Sequence, residues 1–235
     1  MHERIRGSVI KGLILAGGNG TRLAPLTNLT NKHLLPVYKF PMIIYPLDTL
    51  ISMGCDDILI VTGGEHIGDF ASYLGDGSRY GVRFTYRVQP EAGGIAQALG
   101  CAEGFIKDTE LFPVILGDNY FEVSPGTFDR PTIYIKEVED AHRFGVYDFN
   151  NNTIIEKPSS KVGYAVTGLY IYNYKVFNQI RRLEKSERGE LEITDINNWY
   201  LENEGINILK IDSYWRDMGT HDTLLEVANH VQQNT

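Results

Sequence analysis

The chain has 235 residues, 43% of them hydrophobic and 11% aromatic. That is enough to bury one sizeable core and too little for two full-size domains. A formal charge of −8 and a pI near 5.3 exclude a general binder of nucleic acid or of anionic membrane, so an anionic substrate must be held by local basic groups and backbone amides. The two cysteines, Cys55 and Cys101, form neither a CxxC pair nor a disulfide framework and read as small buried hydrophobes. Met1 to Ser8 is too polar for a signal peptide, and no apolar run reaches membrane length. A reducing cytoplasm is the expected setting.

In chain order, Val9 to Leu15 predicts a buried strand, and Ala16 to Thr21 a glycine-rich loop. Ile43 to Met53 predicts a helix stopped by Gly54, and Asp57 to Val61 a second buried strand. A helix over Ile67 to Leu74 and an alternating strand through Val82, Phe84 and Tyr86 come next. Gly94 to Phe105 reads as helical and Phe112 to Leu116 as another buried strand. This βαβα rhythm predicts an α/β fold, a Rossmann-like, mostly parallel sheet flanked by helices.

The pattern changes in the second half. Thr132 to Val138 alternates, Gly145 to Phe149 and Thr153 to Glu156 flank three asparagines as a hairpin would, and Ala165 to Tyr172 predicts a strand. Leu191 to Leu201 and Asp222 to Val231 read as helices. We therefore expect one domain, with a half over about residues 9–120 and an inserted β-rich half over about 121–235.

The sharpest chemical signal is Ala16-Gly17-Gly18-Asn19-Gly20-Thr21-Arg22-Leu23, directly after a buried strand. Glycines there let backbone N–H groups converge on phosphate oxygens, and Arg22 adds a charged fork. It is not a Walker A loop, because no Gly-Lys-Ser/Thr follows, and Leu23 stands where a dinucleotide fingerprint needs a third glycine. Taken alone, it also suits a tight turn with a solvated arginine. Lys32, just before Leu34-Leu35-Pro36-Val37, offers a second cation. Asp118 in Gly117-Asp118-Asn119 follows a strand, at the end where open α/β sheets bind ligands. A side-chain amide such as Gln89 carries both a donor and an acceptor for a pyrimidine edge, although it equally suits an exposed helix-capping turn. His33, His66, His142 and His221 show no metal spacing and read as surface or loop histidines.

Taken together, Gly17-Gly18-x-Gly20-Thr21-Arg22-Leu23, Lys32-x-Leu34-Leu35-Pro36-Val37, Pro41-Met42-Ile43 and Tyr45-Pro46-Leu47 resemble the signature of the sugar-phosphate nucleotidylyltransferases, and the likeness extends from about Lys11 to about Glu226. The resemblance implies Mg²⁺-dependent transfer of a nucleotidyl group from dTTP to glucose 1-phosphate, with a uridylyl- or cytidylyltransferase as the alternative. It implies a nucleotide site made by Leu15, Ala16, Gly17, Gly18, Gly20, Thr21, Arg22, Gln89, Gly94 and Asp118. It assigns the sugar phosphate to Asn119, Gly145, Glu156, Lys157 and Thr167, the metal to Asp118 and Asp217, and charge neutralisation to Arg22, Lys32 and Lys157. Gly189-Glu190-Leu191-Glu192-Ile193-Thr194 also follows the family pattern and reads as a helix start that Thr194 caps.

The chain departs from the pattern in two places. A helix usual in relatives is replaced by a loop over Glu122 to Arg130, and the C-terminal helices that longer members use for an allosteric site and a tetramer are not seen. A homodimer is the assembly entertained. A catalytically silent nucleotide-binding module and a nicotinamide-dependent oxidoreductase are the readings from other classes. The retained charged residues argue against the first and the missing third glycine against the second.

Overall fold

The computed structural model describes residues 9–106 and 111–235. The N-terminal stretch through Gly7, for which the sequence suggests no role, lies outside the described residues.

In chain order the elements are β1 (Lys11–Ala16), β2 (Pro36–Val37), β3 (Phe40–Pro41), α1 (Ile44–Ser52), β4 (Asp57–Gly63), α2 (Ile67–Leu74), β5 (Arg83–Gln89) and α3 (Ile95–Gly100). They continue with β6 (Phe112–Leu116), β7 (Asn119–Phe121), β8 (Thr132–Val138), β9 (Gly145–Asp148), β10 (Thr153–Glu156) and β11 (Gly163–Tyr172). The chain closes with α4 (Lys175–Ile180), α5 (Ile193–Asn203), β12 (Asn207–Lys210), β13 (Trp215–Asp217) and α6 (His221–Gln233).

Strands β6, β1, β4 and β5 lie side by side and parallel, as the first half predicts. Their residues alternate between two apolar layers. Leu13, Leu15, Leu59, Val61 and Val114 face one layer, with Ala96 and Leu99 of α3, Phe177 of α4 and Tyr200 of α5. Ile14, Ala16, Ile58, Ile60 and Ile115 face the other, with Leu47 and Leu50 of α1 and Phe70 and Leu74 of α2. A strand buried on both faces needs an unbroken apolar run, which is what β1, β4 and β6 carry.

The β-rich half joins the same sheet. Strand β11 runs antiparallel beside β6 and pairs with β8 and β9, and β10 pairs with β9 at the end. The fold is thus an α/β sheet, parallel in its first half and largely antiparallel in its second. The β11–β8 register shifts between Val166 and Tyr170, placing an irregularity beside the cleft. A separate two-stranded ribbon, β7 with β13, brings Asn119 opposite Asp217.

Three local readings change. Regular helix after Gly94 ends at Gly100 rather than Phe105; turns follow, and Gly100 and Gly104 weaken the continuation. Helix α5 begins at Ile193 with Glu192 as its N-cap, and Thr194 does not cap it. Short elements α4, β7, β12 and β13 lack the length or periodicity to stand out in the sequence. The helix predicted over Asp222 to Val231 appears as α6, with Thr223, Val227 and Val231 buried at four-residue spacing, and Thr220 and Thr223 form a reciprocal cap at its start.

Candidate active site

One cleft of about 700 Å³ opens where β1, β5, β6 and β10 end, and residues of both halves line it. The glycine loop leaves β1, Gln89 closes β5, Asp118 follows β6 and Glu156 closes β10. Parallel topology brings the glycine loop, Gln89 and Asp118 to one edge, and the antiparallel β9–β10 hairpin adds Glu156.

The glycine loop forms the first wall. A β-carbon on Gly17 would lie 2.0 Å from Gln89 Oε1, so a side chain at this position would displace the glutamine. Arg22 is exposed and makes no ion pair with any described residue; its guanidinium lies against Gly219, which Asp217 Oδ2 also touches. Lys32 lies over Gly18 and its Nζ contacts Asp118 Oδ2 at 2.5 Å. One ammonium thus stands between the loop and the carboxylate.

His33 differs from the sequence reading. It is 1% exposed, with its ring under Gly117, directly before Asp118. Asn31 Oδ1 accepts from both the His33 backbone N–H and Nδ1, which fixes the proton on Nδ1. Burial, reinforced by Lys32 and only partly opposed by Asp118, lowers its pKa to about 3, so the imidazole is neutral. The polar residues Thr30-Asn31-Lys32 before it gave no sequence cue that this histidine points inward.

Asp118 and Asp217 are both buried at the base of the cleft. Burial pushes the Asp118 carboxyl up, but Lys32 and hydrogen bonds from Lys32 and Asn119 Nδ2 outweigh it and hold the group below the usual carboxylate range. For Asp217 burial wins: the carboxyl is raised despite Arg143, with the neighbouring Asp118 charge adding to the rise. Arg143 Nη2 donates to Asp217 Oδ2 at 2.5 Å and is itself held by Asp140, which also pairs with Arg216. Asp217 Oδ1 is buried with no hydrogen-bond partner among the described residues. An orphaned carboxylate oxygen beside a second carboxylate is a donor set suited to a hard divalent cation. No cluster of three or more metal-ligating side chains occurs among the described residues.

The opposite wall carries Gly145, Glu156 and Lys157. Glu156 accepts from Thr194 Oγ1 at 2.6 Å and from Arg188 Nη2 at 3.0 Å, and Lys157 Nζ stands 3.7 Å away. Lys157 adopts φ 46°, a left-handed conformation that costs a non-glycine residue about 1 kcal/mol or more. Its N–H is anchored to Phe144 O at 2.9 Å, which holds the backbone there and aims the side chain. Arg188, directly before the segment read as a helix start, also pairs with Glu190 and Glu192 of that segment. Arg143, Arg188 and Thr194 were missed as site residues because nothing local distinguishes them; only Thr194 lies inside a motif matched to the family, where it reads as a cap.

Of the residues expected at the site, Ala16 and Thr167 do not line the cleft. Ala16 packs in the core, and Thr167 is fully buried in β11, its hydroxyl without a partner among the described residues. Its neighbours Val166 and Gly168 reach the wall instead. Asn119 is reached, and it ties the base of the cleft together: Oδ1 accepts from Gly168 N and Trp215 Nε1 while Nδ2 donates to Asp118.

Comparison with known proteins establishes the family. The nucleotidyl transferase family model matches residues 11–234. The chain belongs to the nucleotidyl transferase family. Among family members, the glucose-1-phosphate thymidylyltransferase of Neisseria meningitidis serogroup A is 42% identical over 95% of this chain and 83% of its own length. That of Mycolicibacterium smegmatis is 40% identical over 95% and 82%. A Bacillus anthracis structure assigned as a glucose-1-phosphate thymidylyltransferase, solved with sucrose, superposes with TM-score 0.87 at 45% identity, covering 97% of this chain and 96% of its own. A UDP-glucose pyrophosphorylase complexed with UDP-glucose has TM-score 0.82 at 23% identity and shares the fold. This nucleotidyl transferase is therefore an enzyme, and no helix among its described residues is long and apolar enough to cross a membrane.

Proposed function

We propose that this nucleotidyl transferase moves a thymidylyl group from dTTP to glucose 1-phosphate, giving dTDP-glucose and pyrophosphate. The observation that carries the reading is one cleft with cations on both sides: Arg22 and Lys32 at the glycine loop, and Lys157 beside Glu156 on the other wall, where Arg188 is already paired with Glu156, Glu190 and Glu192. Two anionic substrates can then approach from opposite sides despite the net charge of −8.

In this reading a phosphate oxygen of glucose 1-phosphate attacks the α-phosphorus in line. The new P–O bond forms as the bond to the bridging oxygen of the β-phosphate breaks, and that oxygen leaves with the pyrophosphate. No enzyme nucleophile takes part. The loop N–H groups, Arg22 and Lys32 hold the departing pyrophosphate, and Lys157 aligns the attacking phosphate. Glu156, fixed by Thr194 and Arg188, accepts from a sugar hydroxyl. Gln89 and Gly94 receive the base. Asp118 and Asp217 would hold Mg²⁺, which supplies charge neutralisation on the phosphates.

The test incubates the enzyme with dTTP and glucose 1-phosphate and follows dTDP-glucose by anion-exchange chromatography. The product should require Mg²⁺, disappear with EDTA, and form about 100-fold or more slowly with Asp118→Asn or Asp217→Asn that remain folded. Near-normal turnover in both variants would remove the metal assignment.

A further inference from the structure

Gln97, in the first turn of α3, fixes which end of the Gln89 amide faces the cleft. The orientation follows from backbone groups whose roles are not in question. The Gly93 N–H is a donor, and it donates to one end of the Gln97 amide at 3.0 Å, so that end is Oε1. The other end, Nε2, donates to the Glu91 carboxylate at 3.1 Å, and that carboxylate is held from outside by Lys185. Gln97 Oε1 also lies 2.9 Å from Gln89, so the Gln89 atom there must be the donor Nε2. The same Nε2 reaches the Gly94 carbonyl at 3.3 Å, an acceptor by necessity. Both Nε2 hydrogens are thereby committed away from the cleft. Gln89 Oε1 is left against Gly17 with no donor among the described residues.

The positive φ of 101° at Gly94 is part of the same device. It turns the Gly94 carbonyl back toward Gln89, and a β-carbon there would meet Leu191 O at 2.5 Å.

We propose that Gln97 is a positioning residue for base selection: it locks Gln89 as a pure acceptor, so the site takes a pyrimidine with an N3–H donor and rejects cytosine. Thymine and uracil carry that hydrogen. Cytosine presents a lone pair at N3, which would face the Gln89 oxygen with neither partner able to donate. A site that leaves a buried polar pair unmatched discriminates more strongly than one that merely fills space. The inference rests on the reading that Gln89 receives the base, and it rules against a cytidylyl donor while leaving thymidylyl and uridylyl donors both admissible.

The test is calorimetric titration of dTTP and dCTP into the wild-type enzyme and into Gln97→Met, Gln97→Ala and Gln89→Ala. Methionine keeps the length of the side chain and removes the acceptor. The wild type should prefer dTTP. Gln97→Met should narrow that preference by about tenfold or more, partly through a gain in dCTP affinity that a misfolded protein could not show. Gln97→Ala should shift the same way, and the KM for glucose 1-phosphate should stay near wild type in both. A preference unchanged in the folded Gln97 variants but lost in Gln89→Ala would overturn the positioning role and leave the base contact standing. A preference unchanged in all three would overturn both.

Discussion

At the residue scale the cleft divides its cations between two jobs. Arg22 has no ion-pair partner among the described residues and stands beside Asp217 over Gly219, free to meet charge that grows on the leaving group. Lys157 is held in a left-handed backbone conformation on the other wall, beside the carboxylate assigned to the sugar. Interactions that strengthen in the transition state raise kcat, whereas those present equally in the bound ground state set KM. Arg22→Ala should therefore lower kcat chiefly. Lys157→Ala should raise the KM for glucose 1-phosphate, with a lower kcat if phosphate alignment also suffers, and Lys157→Arg should not rescue fully because a planar fork places its charge differently from an ammonium. Steady-state kinetics with each substrate varied in turn separates these effects. A Lys157→Ala enzyme whose only rise was in the KM for the triphosphate would reverse the assignment of the two walls.

At the element scale, the site depends on the β7–β13 ribbon and the irregularity in β11, neither of which the sequence displays. The long apolar strands and the helices between them were legible because burial on both faces demands unbroken runs. Ribbon strands of three residues leave no periodic trace, and a bulge depends on the partner strand rather than on local composition. Asn119 joins these elements by accepting from Gly168 and Trp215 and donating to Asp118. Asn119→Ala would leave two buried donors unsatisfied, at about 1–3 kcal/mol each. We expect urea unfolding to show a loss of roughly 3 kcal/mol with the m-value unchanged, together with lower turnover. Full stability in this variant would mean that the ribbon does not depend on Asn119. The same reasoning explains the missed residues: Arg143 and Arg188 acquire meaning through Asp217 and Glu156, which are distant in sequence, and Thr194 reads as a cap until Glu156 is seen to take its hydroxyl.

At the scale of the whole molecule, one buried histidine ties stability to pH. His33 titrates near 3 in the folded chain against an ordinary value of about 6.5. Between these values the unfolded chain binds a proton that the folded chain does not, so stability falls as pH drops through 6.5 toward 3. This group contributes up to about 1.4 kcal/mol per pH unit in that window. His33→Gln should flatten the slope of unfolding free energy against pH between 4 and 6, whatever it does to stability at pH 8, where the wild-type imidazole is neutral in both states. An unchanged slope would mean that His33 takes a proton while folded.

The whole account turns on one cleft serving two anionic substrates, a nucleoside triphosphate at the glycine loop and a hexose 1-phosphate at Glu156 and Lys157. The most direct measurement is pyrophosphate release with Mg²⁺ across a matrix of dTTP, UTP, CTP, ATP and GTP against glucose 1-phosphate and other hexose 1-phosphates. The account predicts the fastest release with dTTP and glucose 1-phosphate, slower release with UTP, and none above background when the sugar phosphate is omitted. Fastest release with ATP or GTP, or release that does not depend on the sugar phosphate, would contradict it.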